Sequence, residues 1–126
     1  MKDFINNTIW ADELKLAITV TDIDYVILYM NEKSKRSYPN SHVGDNLADC
    51  HRQSSMDKID RMIQNDISNT YTVTKKGLKK LIHHTSWYKD GKTAGIVEFA
   101  IEIPEDILRY HHNLFKTINF NINHHV

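Results

Sequence analysis

The residues best suited to chemistry in this chain are its eight histidines and its single cysteine, because imidazole and thiolate are common metal ligands. Cys50 and His51 are adjacent, and His42 lies shortly before them. No Cys-x-x-Cys or His-x-x-x-His spacing accompanies them, so a closed zinc site would have to combine residues scattered along the chain. His83 and His84 are neighbours on a predicted strand, where successive side chains point to opposite faces and cannot bind one ion. We therefore expect no metal site, and the candidates for one would be His51, Cys50 and His42.

The patterns that serve catalysis are missing from the sequence. There is no nucleophile elbow, no glycine-rich phosphate loop and no His-x-x-x-His helix, and the acidic residues show no pairing typical of a general acid and base. We therefore expect no enzymatic activity. The alternative is a small α+β enzyme in which an acid in an apolar pocket acts as the base.

Length and charge limit the classes of partner. The chain has 126 residues, enough for one domain but not for a sensor with a separate effector, so any output would need another protein. Lysine plus arginine and aspartate plus glutamate number 16 each, which leaves no net positive field to attract nucleic acid. The sequence shows no leader pattern and no run of about 20 apolar residues, and its lone cysteine cannot form an internal disulfide. We expect a cytoplasmic protein without nucleic-acid or membrane partners.

The strongest structural signal is a hairpin between Leu78 and Pro104. Two strand-like runs, Leu78–Tyr88 and Thr93–Ile103, are joined through Asp90-Gly91, a dipeptide that suits a tight primed turn. The second run alternates, with Val97, Phe99 and Ile101 on one face and Glu98 on the other, which predicts a central strand whose apolar face packs on the core. In the first run two sets of residues compete for the inner face, so the sequence leaves its register open.

The rest of the chain predicts a single α+β domain over residues 1–126, with a five-stranded antiparallel sheet and short helices on one of its faces. The other strands are Leu16–Asp22, Tyr25–Met30 and Thr70–Lys75. The predicted helices are an N-terminal helix over 1–15, a short one over Glu32–Ser37 capped by Asn31, a longer one over Ser54–Asn65, and a C-terminal helix over 105–118.

This order of elements resembles a PAS domain over about residues 12–105, and the motifs that carry the resemblance come in the matching order. They are Thr21-Asp22 with Tyr29-Met30-Asn31, then Gly44-Asp45-Asn46-Leu47, then Tyr88-Lys89-Asp90-Gly91-Lys92 with Gly95-Ile96-Val97-Glu98. In addition, Asp49-Cys50-His51 followed by Ser54 is similar to a bacterial PAS subgroup with Asp-Cys-His-Pro at that place, although Arg52 replaces the proline here.

The resemblance implies a sensory or signalling module that binds a small molecule between the sheet and the longer helix, or that mediates protein–protein contact. The residues expected to line that pocket are Ile18, Val20, Ile59, Ile63, Val97, Phe99 and Ile101. The resemblance does not identify a ligand or cofactor. Some PAS domains hold haem through a histidine on the longer helix, which Ser54–Asn65 lacks. A haem-binding sensor is therefore a less favoured alternative, whose ligand would have to lie elsewhere, with His51 just before the helix and His42 further back. Flavin photochemistry needs an Asn-Cys-Arg-type motif, whereas Cys50 follows Asp49.

The same resemblance includes dimerisation. A ligand-free dimerisation module is the main alternative to a sensor, and a homodimer is expected in either case. The apolar residues expected at its interface lie in the terminal segments and are Ile5, Ile9, Trp10, Ile107, Leu114 and Phe115. Each large side chain contributes about 1.5–3 kcal/mol when fully buried, against an association cost of at least about 4 kcal/mol, so most of them must contribute together.

Overall fold

A computed structural model describes residues 7–49 and 52–110 of the chain. Cys50 and His51, which the sequence offers as metal candidates, lie outside the described residues, as do Ile5, Leu114 and Phe115 of the expected interface. The statements below concern the described residues.

One antiparallel sheet of five strands forms the centre of the structure, in the order β2-β1-β5-β4-β3. The strands are β1 Ala17–Thr21, β2 Ile27–Met30, β3 Asn69–Lys75, β4 Leu78–Lys89 and β5 Lys92–Glu102. The helices are α1 Ile9–Asp12, α2 Glu32–Ser37 and α3 Gln53–Asn65, with a single 3-10 turn at Leu47–Asp49. The predicted α+β class, with its five-stranded antiparallel sheet, is confirmed.

The hairpins form where the local sequence predicts them. Asp90 and Gly91 have φ angles of +52° and +77°, the left-handed pair that a tight primed turn requires. Lys76 and Gly77 repeat the same two angles between β3 and β4. Two glycine-containing turns therefore connect the last three strands and fix their register.

The two faces of the sheet are covered differently. On one, which we call the helix face, Ile96 packs against Met56, Ile59 and Met62 of α3. On the opposite one, the outer face, a second cluster joins Ala11 of α1 to four of the residues expected in the ligand pocket, namely Ile18, Val20, Val97 and Phe99. The core is therefore split between two sides of one sheet.

This division corrects the face assignment made from the alternation in β5. Val97 and Phe99 lie on the outer face, and Ile101 is 41% exposed, so the prediction that all three face the longer helix is wrong. Ile96 and Ala100, 3% and 4% exposed, occupy the helix face instead. The physical reason is that alternation separates two faces but does not say which of them the helices cover.

The register of β4, which the sequence leaves open, follows from its pairing with β5. Ile82 lies opposite Ala100, His84 opposite Glu98, and Ser86 opposite Ile96, so these β4 residues lie on the helix face and are buried there. The helix face therefore receives polar as well as apolar side chains from its two central strands.

Asn31 connects elements on both sides of the sheet. Its side-chain oxygen accepts hydrogen bonds from the backbone N–H groups of Ile18 and Ser34, both at 3.0 Å. Its amide nitrogen donates to the carbonyls of Ala11 at 3.0 Å and Leu16 at 2.8 Å. The bond from Ser34 confirms the predicted cap of α2. The other three hold β1 and the segment that carries α1.

Gly95 allows a close approach of three strands. A Cβ atom at this position would lie 1.9 Å from the carbonyl oxygen of Thr21 and 2.7 Å from Nε1 of Trp87. The Trp87 indole donates a 2.8 Å hydrogen bond to that same carbonyl. Glycine is therefore required for the indole of β4 to reach across β5 to β1.

The predicted terminal helices differ from what is observed. In the described part of the N-terminal segment the helix is limited to Ile9–Asp12, and residues 1–6 lie outside the description. Residues 105–110 form a turn and irregular chain rather than the start of a helix, and 111–118 lie outside the described residues. Ile9, Trp10 and Ile107 of the expected interface are exposed.

Candidate functional site

A histidine–glutamate pair lies on the helix face at the centre of the sheet. Cross-strand pairing of β4 with β5 brings His84 opposite Glu98, and Nε2 of His84 lies 2.7 Å from Oε2 of Glu98. The two side chains are 10% and 25% exposed. Polar groups so deep in a protein need matched partners, because the cost of leaving them without a hydrogen bond is about 1–3 kcal/mol each.

Two tyrosines surround this pair. Tyr38, which follows α2, lines the same space as Glu98, and burial followed by the Glu98 charge raises the pKa of its hydroxyl. Tyr71 on β3 meets the His84 ring edge-on, with the ring centres 5.7 Å apart and the planes at 88°. Burial, and then the Glu98 carboxylate, also raise the Tyr71 pKa. Both phenols are therefore held as neutral hydrogen-bonding groups.

A cavity of about 230 Å³ opens beside these groups, between the sheet and the segment that runs from α2 to the 3-10 turn. We call it the helix-face cavity. Its apolar wall includes Ile27, Met30, Leu47, Val73 and Ile82. Its polar wall includes Thr19, Tyr38, Tyr71, Lys80 and Glu98. An apolar pocket with a few convergent polar groups is typical of small-molecule sites.

Lys80 brings a positive charge to the same cavity. Its ammonium lies over the Tyr38 ring, 5.6 Å from the ring centre, in the geometry of a cation–π contact. Lys80 is opposite Glu102 across the β4–β5 pair, but Glu102 forms its ion pair with Lys33 of α2 at 3.1 Å. Lys75 lines the cavity as well, so one carboxylate and two ammonium groups face one small space.

A second cleft, of about 530 Å³, separates α3 from β3. Tyr71 lines both this cleft and the helix-face cavity, so the two spaces are neighbours. The helix is held by hydrogen bonds from tyrosine hydroxyls, one from Tyr25 to Asp60 within α3 and one from Tyr88 to Asp66 at its end. Burial, then the bond to Asp60, raises the pKa of Tyr25 to about 12.

The outer face has a cavity of its own, also about 530 Å³. We call it the outer cavity. Ile18, Val20, Val97 and Phe99 line it together with aromatic residues that include Trp10, Tyr29 and Trp87. The Tyr29 hydroxyl donates a 2.7 Å hydrogen bond to Asp12 and so anchors α1 at the edge of this space. The outer cavity is mainly apolar and aromatic, in contrast to the charged wall of the helix-face cavity.

Comparison with known proteins gives the fold its name. No protein-family model matches the sequence, and no curated protein matches it. Solved structures do match. The LOV protein of Rhodobacter sphaeroides aligns with a TM-score of 0.62 at 11% identity, over 86% of this chain and 71% of that chain. The PAS domain of the histidine kinase ThkA aligns with a TM-score of 0.58 at 15% identity, over 70% of this chain and 99% of that chain.

This chain has the PAS fold. A sensory box sensor histidine kinase from Vibrio cholerae adds a third match, with a TM-score of 0.51 at 16% identity, over 82% of this chain and 94% of that chain. The PAS resemblance predicted from the sequence is thus confirmed at the level of fold.

Within this PAS fold the seven residues expected to line one pocket do not come together. Ile18, Val20, Val97 and Phe99 share the outer cavity, whereas Ile59 and Ile63 belong to the helix-face cluster around Ile96. Ile101 is exposed. The prediction of one common pocket for all seven is therefore wrong, since it rested on the inverted faces of β5.

Sequence reasoning missed His84, which bonds to Glu98, and the charged and phenolic residues that line the helix-face cavity, which are Tyr38, Tyr71, Lys75, Lys80 and Glu98. One signal was present. In β4 the polar residues His84 and Ser86 alternate with Trp87 and Thr85, which left the inner face undecided between a polar and an apolar set. A polar inner face in β4 would have indicated that Glu98, on the neighbouring strand, also faces inward.

The structure also shows where the possible metal and haem ligands of the described residues lie. Among residues 7–49 and 52–110, no group of three or more metal-binding side chains lies close enough together to hold an ion. His42 is exposed, with Nδ1 3.5 Å from a carboxylate oxygen of Asp45. α3 carries no histidine, so a haem would need its axial ligand elsewhere. No helix in the described ranges is long and apolar enough to cross a membrane.

Proposed function

We propose that this chain is a sensory module of signal transduction that binds a small molecule in the helix-face cavity and acts on a separate output protein. The solved structures with the same fold include the PAS domain of a histidine kinase and a LOV protein, which supports a general sensory role. The proposal includes a separate output protein as the recipient of the signal. The lone cysteine supports a reducing compartment, so the proposal includes a cytoplasmic location.

The observation that carries this proposal is the polar wall of the helix-face cavity. A core that served only for stability would be expected to bring apolar side chains together at the centre of the sheet. Here the central strands instead present Lys80 and the His84-bonded Glu98 to a cavity, and Tyr38 lines it from outside the sheet. Charged and hydrogen-bonding groups beside an open volume supply orientation and specificity for a ligand.

Native mass spectrometry of the full chain, purified from its own host, tests the proposal. A bound small molecule should appear as added mass, and an absorption spectrum of the same sample would show a coloured cofactor. Ile82→Phe, which places a larger side chain in the cavity wall, should remove the added mass. Ile101→Phe is the matched control, since this residue is exposed on the outer face. Protein without added mass, and without a melting shift in a metabolite library, would contradict the proposal.

Dimerisation is a second function that a specific observation favours. Ile9 and Trp10 of α1 are exposed next to the mainly apolar outer cavity. A second copy covering them would remove two large side chains from water, each worth about 1.5–3 kcal/mol if fully buried. Light scattering during size exclusion tests this, with Trp10→Ser expected to shift a dimer toward monomer. A monomeric mass for the unmodified chain at micromolar concentration would reject the dimer.

A further inference from the structure

Glu98 and Lys80 line the same cavity without forming an ion pair with each other. The charged partner of Glu98 is His84, at 2.7 Å, if the histidine is protonated. The Lys80 ammonium contacts the Tyr38 ring instead of a carboxylate. Among the ion pairs of the described residues, none joins Lys80 to an acid. The cavity therefore combines a carboxylate that is bonded to His84 with the ammonium groups of Lys80 and Lys75, neither of which has a carboxylate partner among those ion pairs.

Tyr38 lines the cavity together with both residues, and its ring lies under the ammonium of Lys80. Lys80 and Glu98 face one cavity of about 230 Å³, so both lie within reach of one small molecule. A ligand that satisfied both would need a positive and a negative group only a few bonds apart.

We propose that the helix-face cavity binds a small aliphatic amino acid as its zwitterion, with the ammonium group toward Glu98 and the carboxylate toward Lys80. This inference rests on the proposed function, since it names the ligand class of the same cavity. A simple carboxylic acid would offer Glu98 nothing, and a simple amine would offer Lys80 nothing. The amine would leave the Lys80 ammonium without an anion, and the acid would leave Glu98 with His84 as its partner and no ligand ammonium, so each would lose a charged contact that the amino acid makes.

The remaining walls define the rest of the ligand. Ile27, Met30, Leu47 and Ile82 provide an apolar surface that suits a hydrocarbon side chain. The volume of about 230 Å³ is below the roughly 300–1,000 Å³ of pockets for drug-sized molecules. A short aliphatic side chain meets both conditions, whereas a long or charged one meets neither.

The test uses isothermal titration of the full chain with L-alanine, L-valine, L-leucine and L-methionine. At least one of them should bind. For L-leucine the matched analogues are 4-methylpentanoic acid, which lacks the amino group, and 3-methylbutylamine, which lacks the carboxylate. We expect each analogue to bind at least about tenfold more weakly than the amino acid, because each loses a hydrogen bond to a charged group.

Variants of the charged residues test the role of each charge in binding. Lys80→Met should weaken the amino acids at least about tenfold, while Lys79→Met is the matched control, because its neighbouring side chain on β4 points to the opposite face. Glu98→Gln should weaken the amino acids and reduce their preference over 4-methylpentanoic acid. Glu102→Gln is its control, since Glu102 pairs with Lys33 rather than lining the cavity.

The outcomes separate this inference from the function on which it rests. If another compound binds the cavity, in a manner blocked by Ile82→Phe, while all four amino acids fail, the ligand class is overturned and the sensory function stands. If neither the amino acids nor a metabolite library bind, and protein from the host carries no added mass, both are overturned. Equal binding of L-leucine and 4-methylpentanoic acid would also overturn the inference, because Glu98 would then have no role in selection.

Discussion

The two faces of the sheet carry different kinds of cavity, although the same five strands form both. On the helix face, β4 and β5 present Lys80 and Glu98 to a small charged cavity, and His84 is bonded to Glu98. On the outer face, the alternate residues Val97 and Phe99 line a larger, mainly apolar cavity under α1. The more apolar face of β5 is thus the one with the smaller helical cover. Apolar alternation therefore identifies the two sides of a strand but does not say which side the helices enclose.

The polar groups of the helix face are stable because they are satisfied. Thr19 and Ser34 share a 2.6 Å hydrogen bond between their hydroxyls, and Glu98 is bonded to His84 at 2.7 Å. In the ranges 7–49 and 52–110, every buried side-chain nitrogen or oxygen has a hydrogen-bond partner. The two faces therefore differ in the chemistry of their side chains and not in how well their buried polar groups are hydrogen-bonded.

The largest predicted effect tests which face of β5 packs against α3. Ile96→Ala removes a side chain packed between the sheet and α3, and we expect the free energy of unfolding to fall by about 2–5 kcal/mol. Ile101→Ala, the matched change on the opposite face, should cost less than about 1 kcal/mol because Ile101 is exposed. Urea denaturation of both variants measures the difference. A larger loss from Ile101→Ala would restore the face assignment made from the sequence.

Substitution of Asn31 tests the hydrogen bonds that connect the two faces. Asparagine and aspartate are about equally good at a helix N-cap, so Asn31→Asp should be nearly neutral if capping of α2 were the only role. The amide also donates to the carbonyls of Ala11 and Leu16, which a carboxylate cannot do. We expect Asn31→Asp to cost at least about 1–3 kcal/mol of unfolding free energy. Asn31→Ser, which retains a capping oxygen, serves as the comparison, and an unchanged stability of the aspartate variant would limit Asn31 to capping.

Gly95 tests the close approach on the outer face. Gly95→Ala places a methyl group against the Thr21 carbonyl and the Trp87 indole, and overpacking of this kind costs about 1–3 kcal/mol. Trp87→Phe removes the indole hydrogen bond without adding an atom to the backbone, and should cost about 1 kcal/mol. Thermal unfolding compares the two. If Gly95→Ala were no worse than Trp87→Phe, the strands would have room that the geometry does not show.

The smallest effect concerns the tyrosines that hold the helical cover on each face. Tyr25 bonds to Asp60 of α3, and Tyr29 bonds to Asp12 of α1. For both, burial followed by the bonded aspartate raises the pKa of the hydroxyl, to about 12 for Tyr25. The folded pKa of Tyr25 lies above its unfolded value of about 10, so its contribution to stability is complete below pH 10 and is lost as the pH rises through 12.

Ultraviolet absorbance of the phenolate measures this titration, and Tyr25→Phe identifies which step belongs to Tyr25. The step near pH 12 should disappear in that variant. A Tyr25 that ionises together with ordinary exposed tyrosines would show that its bond to Asp60 is not formed in solution.

Much of the fold could be predicted because its signals are local. Asp90-Gly91 fixes a turn through the φ angles of two residues, and Asn31 caps α2 through an atom three positions away. The face of β5 could not be predicted in this way. It depends on pairing with β1 and β4 and on where α3 lands, and those contacts join residues far apart in sequence. Glu98 looked like a solvent-facing residue because its partner, His84, is not its neighbour along the chain.

The two tryptophans of the chain, Trp10 and Trp87, both line the outer cavity, and neither lines the helix-face cavity. Their fluorescence therefore comes from one side of the sheet, while the proposed ligand binds on the other. A change in tryptophan emission when a ligand binds would not report contact with it. It would report transmission of the binding event through the sheet, read without any added dye. Unchanged emission at full occupancy would mean that the signal leaves the domain through its helices instead.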